Sequence, residues 1–573
     1  MEKPRIGVYV CWCGNNIAKM VDVVNVAQEL KELPNVVISK DYKYMCSDPG
    51  QDLIINDIKD FKLNRIVVSA CSPRIHENTF RNTLKKAGLN PYMVQMANIR
   101  EHASWVHTDK PITTKKAKAL VTAAINRINY HVPLDERLVD INPATLVIGA
   151  GISGMTAALE IADAGKKVYL IENSDKPGGV TANVDLTFPY FNSAKGKVDS
   201  LIKRVNENEN IELFTETEVD NVTGYIGNFE TILSLKNEKE AKLTFGNIII
   251  AIGLKPWDPT PMKNYGYGKL PDVITSVEFE KMLLSGNITK KDGSIPKNIA
   301  IIHCVGSRNK DYHKYCSRTC CTTALKYANQ LRSVFPESNI YELYADMRSM
   351  SKGCEELYAQ TSKKKIMFMM FDQENDLPVI RKAEAKDNCE MIIELNEQKT
   401  RKSVEIPADM VILMTSVEAQ DTAKKISHSA GISLCSDIFF IEKHPKLDPV
   451  ATTTGGVYIV GACQGPKGIP DSVSQSMAAS ARILGVINKG KASVEVTTAY
   501  VENFRCCACK MCISCCPYTA IGFDEEKNVS VVNEVLCQGC GTCVALCRPK
   551  AINIKGCSHE QMTAEINALL LSD

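Results

Sequence analysis

Thr145-Leu146-Val147-Ile148-Gly149-Ala150-Gly151-Ile152-Ser153-Gly154-Met155 is the stretch that decides the architecture of this chain. Thr145–Ile148 reads as a buried strand, the three glycines as a tight turn, and Met155–Ala164 as the helix leaving it. Glu172 closes the next strand, Lys167–Ile171. Gly149, Gly151 and Gly154 supply the turn and the close approach of a pyrophosphate. The helix N-terminus faces the phosphate, and Glu172 suits a ribose hydroxyl. A lone glycine triplet says little. With strand, helix and acid all in place, the segment marks a dinucleotide-binding α/β fold.

Two later segments resemble the remaining signatures of flavoproteins. Ile248–Gly253 looks like the strand returning toward the cofactor, and Gly456–Ala462, with Gly461, looks like the flavin-contacting strand. Together they point to FAD rather than NAD. Cys463 stands where such proteins usually carry an acid, which questions the ribitol contact there. Gly178-Gly179 reads either as a close pass by the flavin or as a plain turn. Flavoproteins of the thioredoxin reductase type carry a second glycine fingerprint for NAD(P)H. The corresponding strand here, Asn298–His303, runs instead into Cys304-Val305-Gly306-Ser307, followed by Cys316, Cys320 and Cys321. One glycine does not cradle a pyrophosphate, and this segment lacks the Cys-x-x-Cys of a dithiol redox pair. Adjacent Cys320 and Cys321 would strain a disulfide but suit a cluster at a helix start. The four cysteines are expected to hold a [4Fe–4S] cluster, so that electrons reach the flavin without a hydride.

Cysteine is concentrated elsewhere too. Of 23 cysteines, eleven fall between Cys506 and Cys557, a bunching that scattered core thiols do not produce. Cys506, Cys509, Cys512 and Cys516 are spaced two, two and three apart, with Pro517 following. Cys537, Cys540, Cys543 and Cys547 repeat the pattern. Three thiolates wrap one cubane while the fourth reaches across to the other. One [4Fe–4S] cluster is therefore expected on Cys506, Cys509, Cys512 and Cys547, and the second on Cys537, Cys540, Cys543 and Cys516. A zinc ribbon needs only four thiolates. The block resembles two-cluster bacterial ferredoxins, and Cys507 and Cys515 fall off the ligand frame.

Lys+Arg number 68 against 66 Asp+Glu, and this balance provides no field for nucleic acid or an anionic membrane. Glycines and acids interrupt the apolar stretches, so no membrane span is expected. The opening Met-Glu-Lys-Pro-Arg lacks the apolar core of a secretion signal, which predicts a cytoplasmic location. The expected fold is multidomain α/β. It comprises a small N-terminal α/β domain (1–133), an FAD domain in two parts (144–258 and 410–491), a second nucleotide-like domain carrying a cluster (259–409) and an α+β ferredoxin domain (500–573).

These pieces together closely resemble the A-type subunits of heterodisulfide reductase, the FAD and iron–sulfur proteins that bifurcate electrons in methanogens and some anaerobic bacteria. The resemblance runs nearly the whole length. It rests on Cys11-Trp12-Cys13-Gly14, Tyr44–Gly50, Cys71-Ser72-Pro73-Arg74, Asn98–His102, Cys304–Arg308, Lys352-Gly353, His444–Leu447 and Cys463–Lys467. The family associates a cluster with the N-terminal domain, for which Cys11, Cys13, Cys46 and Cys71 are the natural ligands. Their spread over sixty residues fits buried thiols equally well. The resemblance implies four [4Fe–4S] clusters in all, leaving seven cysteines unassigned. It also implies a lysine near the flavin, Lys326, whose charge would stabilise anionic reduced flavin; a solvated helix lysine is the plainer reading.

The implied activity is flavin-based oxidoreduction, with electrons split between a high-potential acceptor (a heterodisulfide or analogue) and ferredoxin. The implied partners are heterodisulfide-reductase subunits of the B and C types or analogues, a hydrogenase or formate dehydrogenase as input, and ferredoxin, with a dimer inside a larger complex. Rival readings are a non-bifurcating relay of the quinone-interacting oxidoreductase type and a scaffold wiring partner subunits. Unlike many members, the chain carries no inserted ferredoxin between Gly154 and Cys304.

Overall fold

The computed structural model describes residues 2–234, 240–384, 389–494 and 496–571. The chain divides into two compact units. One combines Met1–Val139 with Ser493–Asp573 and His444–Leu447. The other holds Asp140–Lys443 and Asp448–Ala492.

In the second unit the fingerprint strand Thr145–Ile148 sits at the centre of a five-stranded parallel sheet. Its neighbours are Asn247–Ile250 and Val168–Ile171, with Val457–Ile459 and Ile211–Phe214 at the edges. Every residue of Thr145–Ile148 and of Asn247–Ile250 is buried, as continuous apolar strands covered on both faces must be. The helix begins at Ile152, three residues before the sequence pattern becomes regular, because Gly151 is already its N-cap. A second five-stranded parallel sheet places Asn298–Val305 centrally, between Met410–Thr415 and Asn339–Tyr344. A three-stranded antiparallel sheet accompanies each of the two. This is the doubled Rossmann-type α/β arrangement expected for the flavin region.

In the first unit, strands Val36–Tyr42, Ile6–Cys11, Arg65–Ala70 and Val94–Asn98 form a parallel sheet in that order. The cysteine-rich segment forms two short antiparallel pairs, Ala499–Val501 with Ile552–Ile554 and Ile521–Asp524 with Val529–Val532. The helix that follows them, His559–Leu570, lies against helix Lys110–Ile128. Arg127 fastens the two: it pairs with Glu565 at 2.7 Å and donates to Gly556 O at 3.0 Å, while Gln561 donates to Tyr130 O. Among the described residues, no helix is long and apolar enough to cross a membrane.

Candidate functional site

A cavity of about 1580 Å³ opens in the second unit. That exceeds the usual small-molecule pocket of roughly 300–1,000 Å³ and has room for an extended dinucleotide. Gly149, Gly151 and Glu172 line it, and the three fingerprint glycines divide the work. Gly149 has φ +103, and a Cβ there would lie 2.6 Å from Ala251 O. A Cβ on Gly154 would fall 1.8 Å from Gly149 O, so the helix can close on the turn only without one. A Cβ on Gly151 would approach no protein atom nearer than Gly179 Cα, at 4.0 Å, so that glycine keeps space free for a ligand. The residues present therefore fit FAD.

Glu172 is buried, its Oε2 accepting from Ala150 N at 2.8 Å and its Oε1 from Ser174 N and Oγ. Gly178 and Gly179 both have positive φ and pass against Gly151. Gly179 lines the cavity, whereas a Cβ on Gly178 would strike Ala182. Gly253 lines the cavity with nothing within 4 Å of its missing Cβ. Gly461 instead packs on the fingerprint helix, where a Cβ would lie 2.2 Å from Ser153 Oγ. Cys463 does not take over the role of an acid. Its buried thiol donates to Ile250 O and Val460 O, and burial pushes its pKa up to about 11.

The helix Cys320–Val334 borders the same cavity one turn beyond its cysteines. Cys320 and Cys321 are its first two residues, and Thr322, Thr323 and Lys326 line the cavity. Cys304, Cys320 and Cys321 are buried in mutual contact. The hydrogen bond from Cys320, with His303 beyond it, holds Cys321 down at about 4, while Cys320 itself is pushed well up. Cys316 is partnered instead by Arg318 N, at 3.3 Å, and by the Arg348 guanidinium. Gly306 abuts the Trp257 ring, and residues 306–319 intervene before the helix starts, so the turn that would cradle a second pyrophosphate is not formed.

Lys326 is not a solvated helix lysine. It is 1% exposed, and its Nζ donates to Leu186 O at 2.9 Å and pairs with buried Glu280. Glu280 also accepts from Tyr327 OH and Asp185 N. Burial lowers the Lys326 pKa and Glu280 opposes the shift.

In the first unit, the strands Ile6–Cys11, Val36–Tyr42 and Arg65–Ala70 run parallel, so their C-terminal ends share one edge of the sheet. Cys11 ends the first, Cys46 follows the second and Cys71 the third, while Cys13 donates its amide to Cys11 Sγ at 3.3 Å. Burial pushes the Cys11, Cys46 and Cys71 thiols up, Cys71 to about 12, and the neighbouring Cys13 adds to the rise of each. Arg100 donates to Cys13 Sγ at 3.7 Å.

Farther on, Cys516, Cys537, Cys540 and Cys543 line one small cavity, with Pro517 and Tyr518. Backbone amides of Ala520, Ala499 and Ala551 donate to Cys516, Cys537 and Cys547 at 3.2–3.3 Å, a pattern suited to thiolate sulfur. Cys512 contacts Ser530 Oγ, and Cys509 feels the Arg548 charge. Among the described residues, no three side chains stand in finished metal-ligating geometry.

Two features escape sequence reasoning. His303 and Glu342, both wholly buried, lie 3.1 Å apart on adjacent strands. Burial works against the imidazolium, but Cys321 and Glu342 outweigh it and hold His303 up at about 10. Their only sequence signal is a charged residue inside an apolar strand. Burial raises the pKa of Cys515, off the ligand frame, and the nearby Cys512, Cys516 and Cys540, drawn from both expected ligand sets, raise it further.

Residues 143–302 match the family model of the pyridine nucleotide-disulphide oxidoreductases. The chain is 38% identical to the second A-type iron-sulfur subunit of CoB–CoM heterodisulfide reductase from Methanopyrus kandleri, over 92% of each chain. It is 37% identical to the A-type subunit of the H(2):CoB-CoM heterodisulfide,ferredoxin reductase of Methanothermobacter marburgensis, over 93% of this chain and 92% of that one. Among solved structures, thioredoxin reductase of Lactococcus lactis is similar over 60% of this chain and 99% of its own, with TM-score 0.42 and 15% identity.

Proposed function

Because the chain belongs to the A-type subunit family of the heterodisulfide reductases, which are oxidoreductases, we propose that it is the FAD and iron–sulfur subunit of a cytoplasmic heterodisulfide-reductase-like complex, dividing electrons between a heterodisulfide-type acceptor and ferredoxin. The observation that carries this reading is the helix Cys320–Val334. Its first residues are two of the grouped cysteines, and its next turn lines the flavin cavity. One helix thus brings a one-electron centre beside a cofactor that accepts electrons in pairs and releases them singly.

The residues have separate tasks. Gly149, Gly151 and Gly154 admit the pyrophosphate, and Glu172 meets the ribose. Gly179 and Gly253 keep the cavity clear, while Gly178 and Gly461 hold the walls together. Cys304, Cys316, Cys320 and Cys321 would hold the flavin-proximal cluster. Cys11, Cys13, Cys46 and Cys71 would hold one in the N-terminal domain, and the two ferredoxin sets would hold one each. Grouped sulfurs that receive backbone amides support these assignments. The partners are subunits of the B and C types, ferredoxin, and a hydrogenase or formate dehydrogenase as input; hydrogen, formate and ferredoxin stand in the names of relatives. A further subunit supplies the electron route that an inserted ferredoxin would provide.

After anaerobic purification, one FAD and about sixteen irons per chain are expected, four for each of four clusters. About eight irons would confine clusters to the ferredoxin domain, and zinc in their place would overturn the electron-transfer reading. The division of electrons is tested in the reconstituted complex supplied with both acceptors. Ferredoxin should be reduced only while the high-potential acceptor is also consumed. If ferredoxin never becomes reduced, a simple relay is the better account.

A further inference from the structure

Of the cations on the wall of the flavin cavity, Lys176, Lys195, Lys197 and Lys352 are exposed to solvent, and four others are answered by carboxylates. Lys326 meets Glu280, Arg318 meets Asp471 at 3.0 Å, Arg348 meets Asp346 at 3.2 Å, and Lys425 meets Glu218 and Asp220. Lys467 differs. It is half-buried on the same wall, and its Nζ donates to two neutral oxygens, Gln464 Oε1 and Gln475 Oε1, each at 2.8 Å. Among the described residues it makes no ion pair.

The two amides are held by outer partners. Gln475 Nε2 donates to Gln464 Oε1 at 2.7 Å, and Gln475 Oε1 also accepts from Gly461 N. Gln464 Nε2 donates to Glu442 Oε2 at 2.7 Å, so that carboxylate is engaged by an amide and not by the ammonium. This arrangement points amide oxygens at a cation without cancelling its charge. Burial lowers the Lys467 pKa, as expected for an ammonium lacking a direct counter-ion. The next residue, Gly468, is the N-cap of helix Ile469–Lys489, and the first residues of that long helix also line the cavity. Its free amides add positive potential on the same side, and Asp471 in its first turn is already occupied by Arg318.

Adding two electrons and one proton to an oxidised flavin leaves a ring with one negative charge. We propose that Lys467, clamped by Gln464 and Gln475 at the start of this helix, supplies the uncompensated positive charge against which reduced flavin is bound. Lys326 is already neutralised by Glu280. This inference rests on the FAD reading above.

The test uses the FAD-loaded full chain and two measurements independent of turnover. One is the two-electron midpoint potential of the flavin. The other is its affinity for sulfite, which adds to the ring and leaves it negatively charged. Lys467→Gln should weaken sulfite binding at least tenfold and lower the potential by about 30 mV, the two-electron equivalent of tenfold. Lys467→Arg should restore most of both. Gln475→Glu keeps the lysine but gives it a counter-ion, so it should shift both readouts the same way, which covers the case of a Lys467→Gln chain that fails to fold. Unchanged sulfite affinity and potential in Gln475→Glu and in any folded Lys467→Gln would overturn the proposal. So would a larger shift on removing the Lys326 and Glu280 pair together. A wild-type chain that purifies without flavin would sink the FAD reading itself, a result visible in its absorbance before either titration begins.

Discussion

Gly154→Ala should yield a chain that purifies almost free of FAD. The added methyl would stand 1.8 Å from Gly149 O, and its neighbour is backbone, which cannot swing aside as a side chain would. Gly149 cannot retreat either, because its own Cα already faces Ala251 O closely enough to exclude a Cβ. The turn must therefore open, and the helix N-terminus leaves the phosphate. A loss of about 3 kcal/mol or more in binding, over a hundredfold in Kd, is expected. Gly151→Ala gives the contrast, since its methyl would meet only Gly179 Cα, at an unstrained 4.0 Å. That variant should keep the melting temperature of flavin-free wild type and still bind FAD poorly. Stoichiometric flavin in both variants would mean that this cavity does not hold the cofactor.

The second large effect concerns stability. Glu280→Ala strands the Lys326 ammonium at 1% exposure and removes the acceptor of Tyr327 OH and of Asp185 N. Breaking a buried pair from one side costs about 3–5 kcal/mol, because a buried charge is left unanswered. Urea unfolding of the flavin-binding unit should register that loss. Glu280→Leu combined with Lys326→Met should recover most of it, since two apolar side chains of similar length leave no charge behind. A single Glu280 variant within about 1 kcal/mol of wild type would contradict the buried-pair account.

What can be read from the sequence is local. The glycine fingerprint is one strand, one turn and one helix, and its chemistry lies within a few residues. The ferredoxin cysteines are likewise a spacing pattern, visible within one short block of chain. Cys11, Cys46 and Cys71 give no such signal, because what unites them is the order of three parallel strands that all end at one sheet edge. From sequence, Lys326 stands undecided between solvent and flavin, since its partner Glu280 lies 46 residues away on another helix. His303 and Glu342 meet only through the register of adjacent strands. The amide clamp on Lys467 likewise depends on side-chain contacts across a turn and a helix.

The clasp between helices Lys110–Ile128 and His559–Leu570 has a consequence for how the protein is made. Arg127 and Glu565 are 438 positions apart. At roughly 5–20 residues per second, a ribosome needs about 20–90 seconds to deliver the second after the first. During that interval the early helix waits with its eventual contact surface bare, while the whole flavin-binding unit is synthesised between. The unit that emerges first is thus the last to be completed, and a nascent chain stalled short of His559 would be the form most in need of a chaperone.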